Sequence, residues 1–178
     1  SPGAALKDGA SISVTAQLVP GSPTPAAKTA QTAPELGANY GGTTIGPFVL
    51  NGQTITLTAL GALDGSSTAL TIDAIATALQ TDINTVFNGT AHDGVTFTVS
   101  HDSGVLTITS SVDGASSVVD LSGSGTVAEM LGFTNLDAVN GSDAGADTVT
   151  ITFADNNGNE VNVTGVATDA TEVTGTGA

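Results

Sequence analysis

At 178 residues the chain has room for one domain or two small ones, and its 39% hydrophobic content must build a core from Val, Leu, Ile and Ala, because aromatics are only 3%. Seventeen acids against two lysines (Lys7 and Lys28), with no arginine, give a formal net charge of −15, which leaves almost no cation to replace the counterions of DNA or RNA and disfavours phosphate ligands and anionic lipid surfaces. With no cysteine there is no disulfide and no thiolate zinc site, and no apolar run approaches the ~20 residues of a membrane helix, so neither a nucleic-acid partner nor membrane insertion is expected.

The plain reading of the acidity is solubility and mutual repulsion of exposed surfaces. The 23 glycines, with abundant Thr, Ser and Val, favour strands and tight turns. Scarce Lys and Arg leave few sites for trypsin-like proteases, which suits a protein displayed outside a cell. No signal peptide is visible, and a start at Ser1 without Met is expected of a processed product, a fragment or part of something longer.

In chain order, Ser11–Val19 alternates, with Ile12, Val14, Ala16 and Leu18 on one face, and predicts a half-buried strand. Residues 20–40 are spaced by prolines, which fix φ and remove donors, and predict an extended crossing. All six prolines lie before residue 48. In the same stretch Asp8 and Glu35 cancel Lys7 and Lys28, so the whole negative balance falls after residue 47 and a boundary is expected there. Phe48–Leu50, the turn Asn51-Gly52 and Thr54–Leu60 predict a hairpin, followed by a loop over Gly61–Ser67. Ile72–Phe87 is the one long helix expected. Its stripe is Ile72, Ile75, Ala76, Leu79, Ile83, Val86 and Phe87, with Thr71 as cap, Asp73 near the positive end of the dipole and Asn88-Gly89 as stop.

Beyond the helix, Val95–Ser100 and Val105–Ser111 predict strands joined by a turn at His101-Asp102-Ser103-Gly104. After a turn at Asp113-Gly114 come a short strand at Val118–Leu121 and a short helix over Thr126–Leu131 that ends at Gly132, with Phe133 folding back on the core. Residues 135–147 are a Gly/Asp/Asn-rich linker. Thr148–Phe153, the turn Asp155–Asn159 and Glu160–Val166 form a last hairpin, and Thr171–Ala178 is a fraying tail. The first strand and the last hairpin are each too small to stand alone and are expected to pair. The fold class expected is α+β, mostly β: an antiparallel sheet with one packed helix, a ββαββ-like module over 48–134, plus a small second β subdomain from 1–47 with 135–178.

Candidate chemical residues are few. His92-Asp93 and His101-Asp102 invite a metal or acid–base reading, but an extended strand between them separates the imidazoles by roughly 25–30 Å, so they read as turn residues. Asp155, Asn157 and Asn159 alternate as in a calcium loop. Glu160 stands where such a loop wants glycine, however, and Val166 where it wants a bidentate acid, so a hairpin turn explains the run. Asp137, Asp143 and Asp147 read as a solvated linker. Gly123-Ser124-Gly125 lacks the frame of a nucleophile elbow. Asn88, Asn140 and Asn162 match the N-glycosylation pattern. No cofactor and no enzymatic activity are expected.

One stretch resembles a known family. The hairpin Phe-Val-Leu-Asn-Gly-Gln-Thr-Ile-Thr-Leu (48–57), the helix start Thr-Ile-Asp-Ala-Ile (71–75), the run from Gly94 through Val105 to Ser110, Gly-Ala-Ser-Ser (114–117) and Ala-Glu-Met-Leu-Gly-Phe (128–133) are similar to the hook IN repeat of flagellins, hook-associated proteins and filament caps. Very similar units occur in exposed domains of phage tail proteins. The resemblance implies a helix on one face of a twisted antiparallel sheet, plugged by Leu131-Gly132-Phe133. It covers roughly half of the chain. The long heptad helices that polymerise flagellin have no counterpart, and Asn88–Gly94 is longer than the usual loop. A surface-exposed outer domain of an extracellular bacterial flagellar filament is therefore expected, with copies of itself or sister subunits as partners. The alternatives are an exposed domain of a phage tail or capsid protein in a virion, and an adhesin or carbohydrate-binding module that meets a host surface or glycan through Tyr40 and the five phenylalanines.

Overall fold

The computed structural model describes residues 12–42, 45–155 and 158–166. Twelve elements follow in chain order: strands β1 (Ile12–Val19), β2 (Pro25–Thr29), β3 (Phe48–Leu50) and β4 (Gln53–Ile55), helix α1 (Ile72–Val86), strands β5 (Phe97–Asp102), β6 (Val105–Asp113) and β7 (Val118–Val119), the short helix α2 (Thr126–Met130), then β8 (Val139–Asn140), β9 (Thr148–Asp155) and β10 (Glu160–Val166). The fold is α+β and mostly β, with antiparallel sheets throughout and α1 as its one long helix. Two compact units emerge, divided between Ser22 and Pro23 and again between Asp143 and Ala144. The sequence reading places these divisions at 47/48, from the composition shift, and at 134/135, from the end of the ββαββ-like module.

In the larger unit β2, β6 and β5 form an antiparallel sheet in that order. Helix α1 lies against β5 and against the β3–β4 hairpin. Its apolar stripe drives this packing: Ile75, Leu79 and Ile83 have no exposed surface, and they meet Phe48, Leu50, Phe97, Leu106 and Ile108 in one core. Thr71 caps the helix, its Oγ1 accepting from the Ala74 amide at 3.2 Å. The helix ends at Val86. Phe87 is the C-cap and stays buried, stacking edge-on with Phe97 at 4.8 Å. At the far end of the sheet Leu131 and Phe133 plug the core, both fully buried.

Three segments differ from the sequence reading. The expected crossing at 20–40 contains β2, an edge strand that pairs with β6 from Pro25↔Asp113 to Thr29↔Thr107, with a register shift between Pro25 and Ala27. Proline is tolerated at the first position of an edge strand. Ala26 and Lys28 alternate inward, and that pattern is too apolar-poor to stand out in the sequence. The strand expected over Thr54–Leu60 stops at Ile55, and a turn of 3-10 helix follows at Leu60–Ala62. The expected linker at 135–147 carries β8, which pairs with β7, and a bridge from Ser142 to Thr24.

The smaller unit is a three-stranded antiparallel sheet in the order β1–β9–β10. The first strand pairs with the last hairpin, Val14 opposite Phe153 and Phe153 opposite Val161. The burial expected for β1 does not follow: residues 13–19 are all exposed.

Candidate functional site

Several polar side chains of the larger unit fasten distant stretches of backbone. The clearest case is Asp82, 1% exposed in the middle of α1. Its Oδ1 accepts from the amides of Thr58 (3.1 Å) and Ala59 (2.8 Å), and its Oδ2 accepts from the Leu60 amide (2.8 Å). Three charge-assisted bonds pull residues 58–60 out of any strand and into the turn, which is why β4 is short. The sequence signal was an acid inside an otherwise apolar stripe, one position before Ile83.

Gln80 does similar work at a sheet edge. Its Nε2 donates to the Phe97 carbonyl and its Oε1 accepts from the Val99 amide, as a neighbouring strand would. Strand β5 is the edge of its sheet, so the helix closes an edge that would otherwise template another chain. Asn51 bridges β3–β4 to β7, donating to the Val118 carbonyl and accepting from the Asp120 amide. Ser124 both accepts from the Val49 amide and donates to the Val49 carbonyl, so its hydroxyl fastens its turn to β3. Gln31 Oε1 accepts from the amides of Thr134 and Asn135. No buried side-chain nitrogen or oxygen among the described residues lacks a partner.

The two histidines stand apart in different settings. His92 sits in a turn at φ 51° and stacks on Phe87, ring centres 4.7 Å apart. His101 lies within β5 rather than in the turn expected for it; the turn is Ser103-Gly104, both at positive φ. Its Nε2 is 2.8 Å from Asp73 Oδ1 at the start of α1, a contact across 28 residues that the sequence reading missed. Asp73, Gln80, Thr81, Val99 and His101 line a groove of about 440 Å³ between α1 and β5. Within it Thr81 donates to the Thr77 carbonyl and Gln80 is committed to β5.

The acidic segments are fastened as well. Asp143 accepts from the Ala115 amide and Asp147 from the Gly21 amide, so 135–147 is not merely a solvated linker. Asp137 presents its carbonyl to the Lys28 ammonium. Burial pushes the Lys28 amine below its ordinary value, against the pull of Asp137 and Asp120. The amide and hydroxyl of Ser122 hold Asp120 below the usual carboxylate range, with a smaller contribution from Lys28. In the candidate calcium loop, Asp155 accepts from the backbone and side-chain amides of Asn159, closing a hairpin turn; Asn157 lies outside the described residues. No group of three or more metal-ligating side chains occurs among the described residues.

Asn88, Asn140 and Asn162 are all exposed. Asn88 Oδ1 accepts from the Thr90 amide and hydroxyl, Asn140 Nδ2 donates to the Ala115 carbonyl, and Asn162 Oδ1 accepts from the Thr152 hydroxyl. No helix of the described residues is long and apolar enough to cross a membrane.

The smaller unit carries two unlike faces. Its sheet has a hydroxyl-rich face, with Thr15, Thr152 and Asn162 in one row and Gln17, Thr150 and Thr164 in the next. The opposite face is apolar, and Val14, Leu18, Phe153, Val161 and Val163 on it are 40–62% exposed. Comparison with family models, with curated proteins and with solved structures finds no match to this chain.

Proposed function

We propose that this chain is a non-catalytic structural domain, the surface-exposed part of an extracellular filament protein of the flagellin or hook-associated type. One observation carries the reading: the carboxylates, amides and hydroxyls that composition offered as chemistry are used as fasteners between backbone segments, with Asp82, Gln80, Asn51 and Ser124 each joining elements distant in sequence. A module built this way gains rigidity and a fixed outline. Its acidic exterior keeps neighbouring copies soluble before assembly. The helix-on-sheet arrangement with the Leu131–Phe133 plug is the arrangement that the hook IN resemblance implies, and it adds support.

The domain acts mechanically in this reading. It supplies bulk and lateral contacts outside a polymer whose axial contacts are made elsewhere. The test is immunogold electron microscopy of the producing organism with an antibody raised against the purified chain. The expected result is regular labelling along the sheared flagellar filaments or at their hook ends. Labelling confined to phage particles would move the module to a virion. Labelling of the cell wall, with binding of the purified chain to host glycans, would favour the adhesin reading.

A further inference from the structure

We propose that the apolar face of the β1–β9–β10 sheet is a self-association surface, on which a second copy of this chain seats its own identical face to give a six-stranded sandwich. This rests on the reading of the chain as a subunit that meets copies of itself, and it names the surface that does so.

Pairing fixes the face. Val14, Phe153 and Val161 form one row, Ala16, Ile151 and Val163 the next, and Leu18, Val149 and Gly165 the third. No charged residue stands in these rows, and the acids in phase with them are Asp147, just before β9, and Asp155, at its last position. A face of this kind is normally covered, because a sheet of three strands gains its stability from burying one side. Three strands about 4.8 Å apart and seven residues long at about 3.3 Å per residue give a flat patch of roughly 350 Å². Side-chain relief enlarges this, so two faces bury on the order of 1,000 Å² together, the lower bound for a specific interface. Sheets packed in this manner sit about 10 Å apart with strands nearly aligned.

The occupant follows from the make-up of the rows, which are apolar and uncharged across all three strands. A charged partner would find no complement on uncharged rows. An identical face, by contrast, is complementary to itself about a two-fold axis. The net charge of −15 opposes the pairing of free copies, so the dimer is weak in dilute solution and strengthened where an assembly holds copies close together.

Sedimentation of the full chain from about 5 to 500 μM in low and high salt tests this. The mass should rise from the 17.2 kDa of the monomer towards twice that value, with a midpoint of about 10–100 μM that falls as salt screens the repulsion. Val163→Asp places a charge in the middle row of the exposed face and should weaken association at least about tenfold, while Thr164→Asp, on the hydroxyl face, should leave it within about twofold. Circular dichroism checks that both variants keep their strands. A wild-type chain that stays monomeric throughout overturns the proposal, as does a folded Val163→Asp variant that associates as the parent does, which would point to pairing through the open edges of β1 or β10. Either result leaves the labelling of filaments, and with it the structural reading, untouched.

Discussion

Replacing Asp82 by alanine is the sharpest probe of how the larger unit is held. The substitution removes the acceptor of three amides at once. Leu60 is fully buried, so its N–H is left without a partner and costs about 1–3 kcal/mol. Thr58 is exposed and Ala59 half-buried, so water recovers part of their loss, leaving about 0.5–1 kcal/mol for each. The sum, about 2–5 kcal/mol, is a large share of the 5–15 kcal/mol typical of a domain. The chain has a single tyrosine and no tryptophan. Tyr40 lies in the same unit as Asp82, buried to 1% exposure, so its fluorescence follows that unit alone. At a urea slope of about 2 kcal/mol/M the midpoint should fall by about 1–2.5 M. Asp82→Asn keeps an oxygen for Thr58 and Ala59 but turns an amino group towards the Leu60 amide, and should fall by roughly half as much. A shift below about 0.5 M for the alanine variant would show that residues 58–60 hold their turn without the carboxylate, and the account of the shortened β4 would be wrong.

Other tests reach different parts of the structure. Burial, with help from the nearby Glu35 charge, pushes the Tyr40 phenol up to about 12; its stabilising contribution is fully present below the ordinary value near 10 and is lost as pH rises from about 10 to about 12. Absorbance of the phenolate should therefore appear near pH 12 in the folded chain and near 10 in urea. Lys28→Met removes an amine whose folded pKa is depressed. The wild-type penalty is full below that folded value and fades as pH rises to 10.5, so the variant should be neutral to stabilised by about 1 kcal/mol near neutrality, an advantage that shrinks in alkali. Gly132 sits at φ +91°, and a β-carbon there would stand 2.0 Å from the Thr32 carbonyl oxygen. Gly132→Ala should cost at least about 2 kcal/mol in urea unfolding, and a neutral result would mean that this close approach is not rigid.

The helix and its partners were legible because each carried a periodic signal that no other residue contradicted. Ile75, Leu79 and Ile83 announced the buried stripe, Thr71 the start and Asn88-Gly89 the end. The pairing of β1 with β9 was legible because the first strand and the last hairpin are each too small to stand alone. Strand β2 was hidden because Pro20, Pro23 and Pro25 dominate its neighbourhood, and its inward positions are an alanine and a lysine. β8 was hidden because two residues carry no period. Asp82 and the His101–Asp73 contact were hidden for another reason. Each joins positions 22 or more residues apart, and a sequence shows that an acid is present without showing which amide or imidazole will face it.

The two faces of the β1–β9–β10 sheet give the small unit two separable capacities. Asn162 stands opposite Thr152 on the hydroxyl face, while Val161 and Val163 on either side of it point through the sheet to the apolar one. A glycan on Asn162 would extend from the hydroxyl side and leave the proposed contact surface clear. Chain made in a host that glycosylates this pattern should then associate with the same midpoint as bare chain, within about twofold, while gaining mass at Asn162. A glycan that abolished association would place the contact on the hydroxyl face or at the β10 edge. Alternation in a strand thus lets one short element carry a decorated exterior and a dry junction without conflict, because the period of two never mixes them.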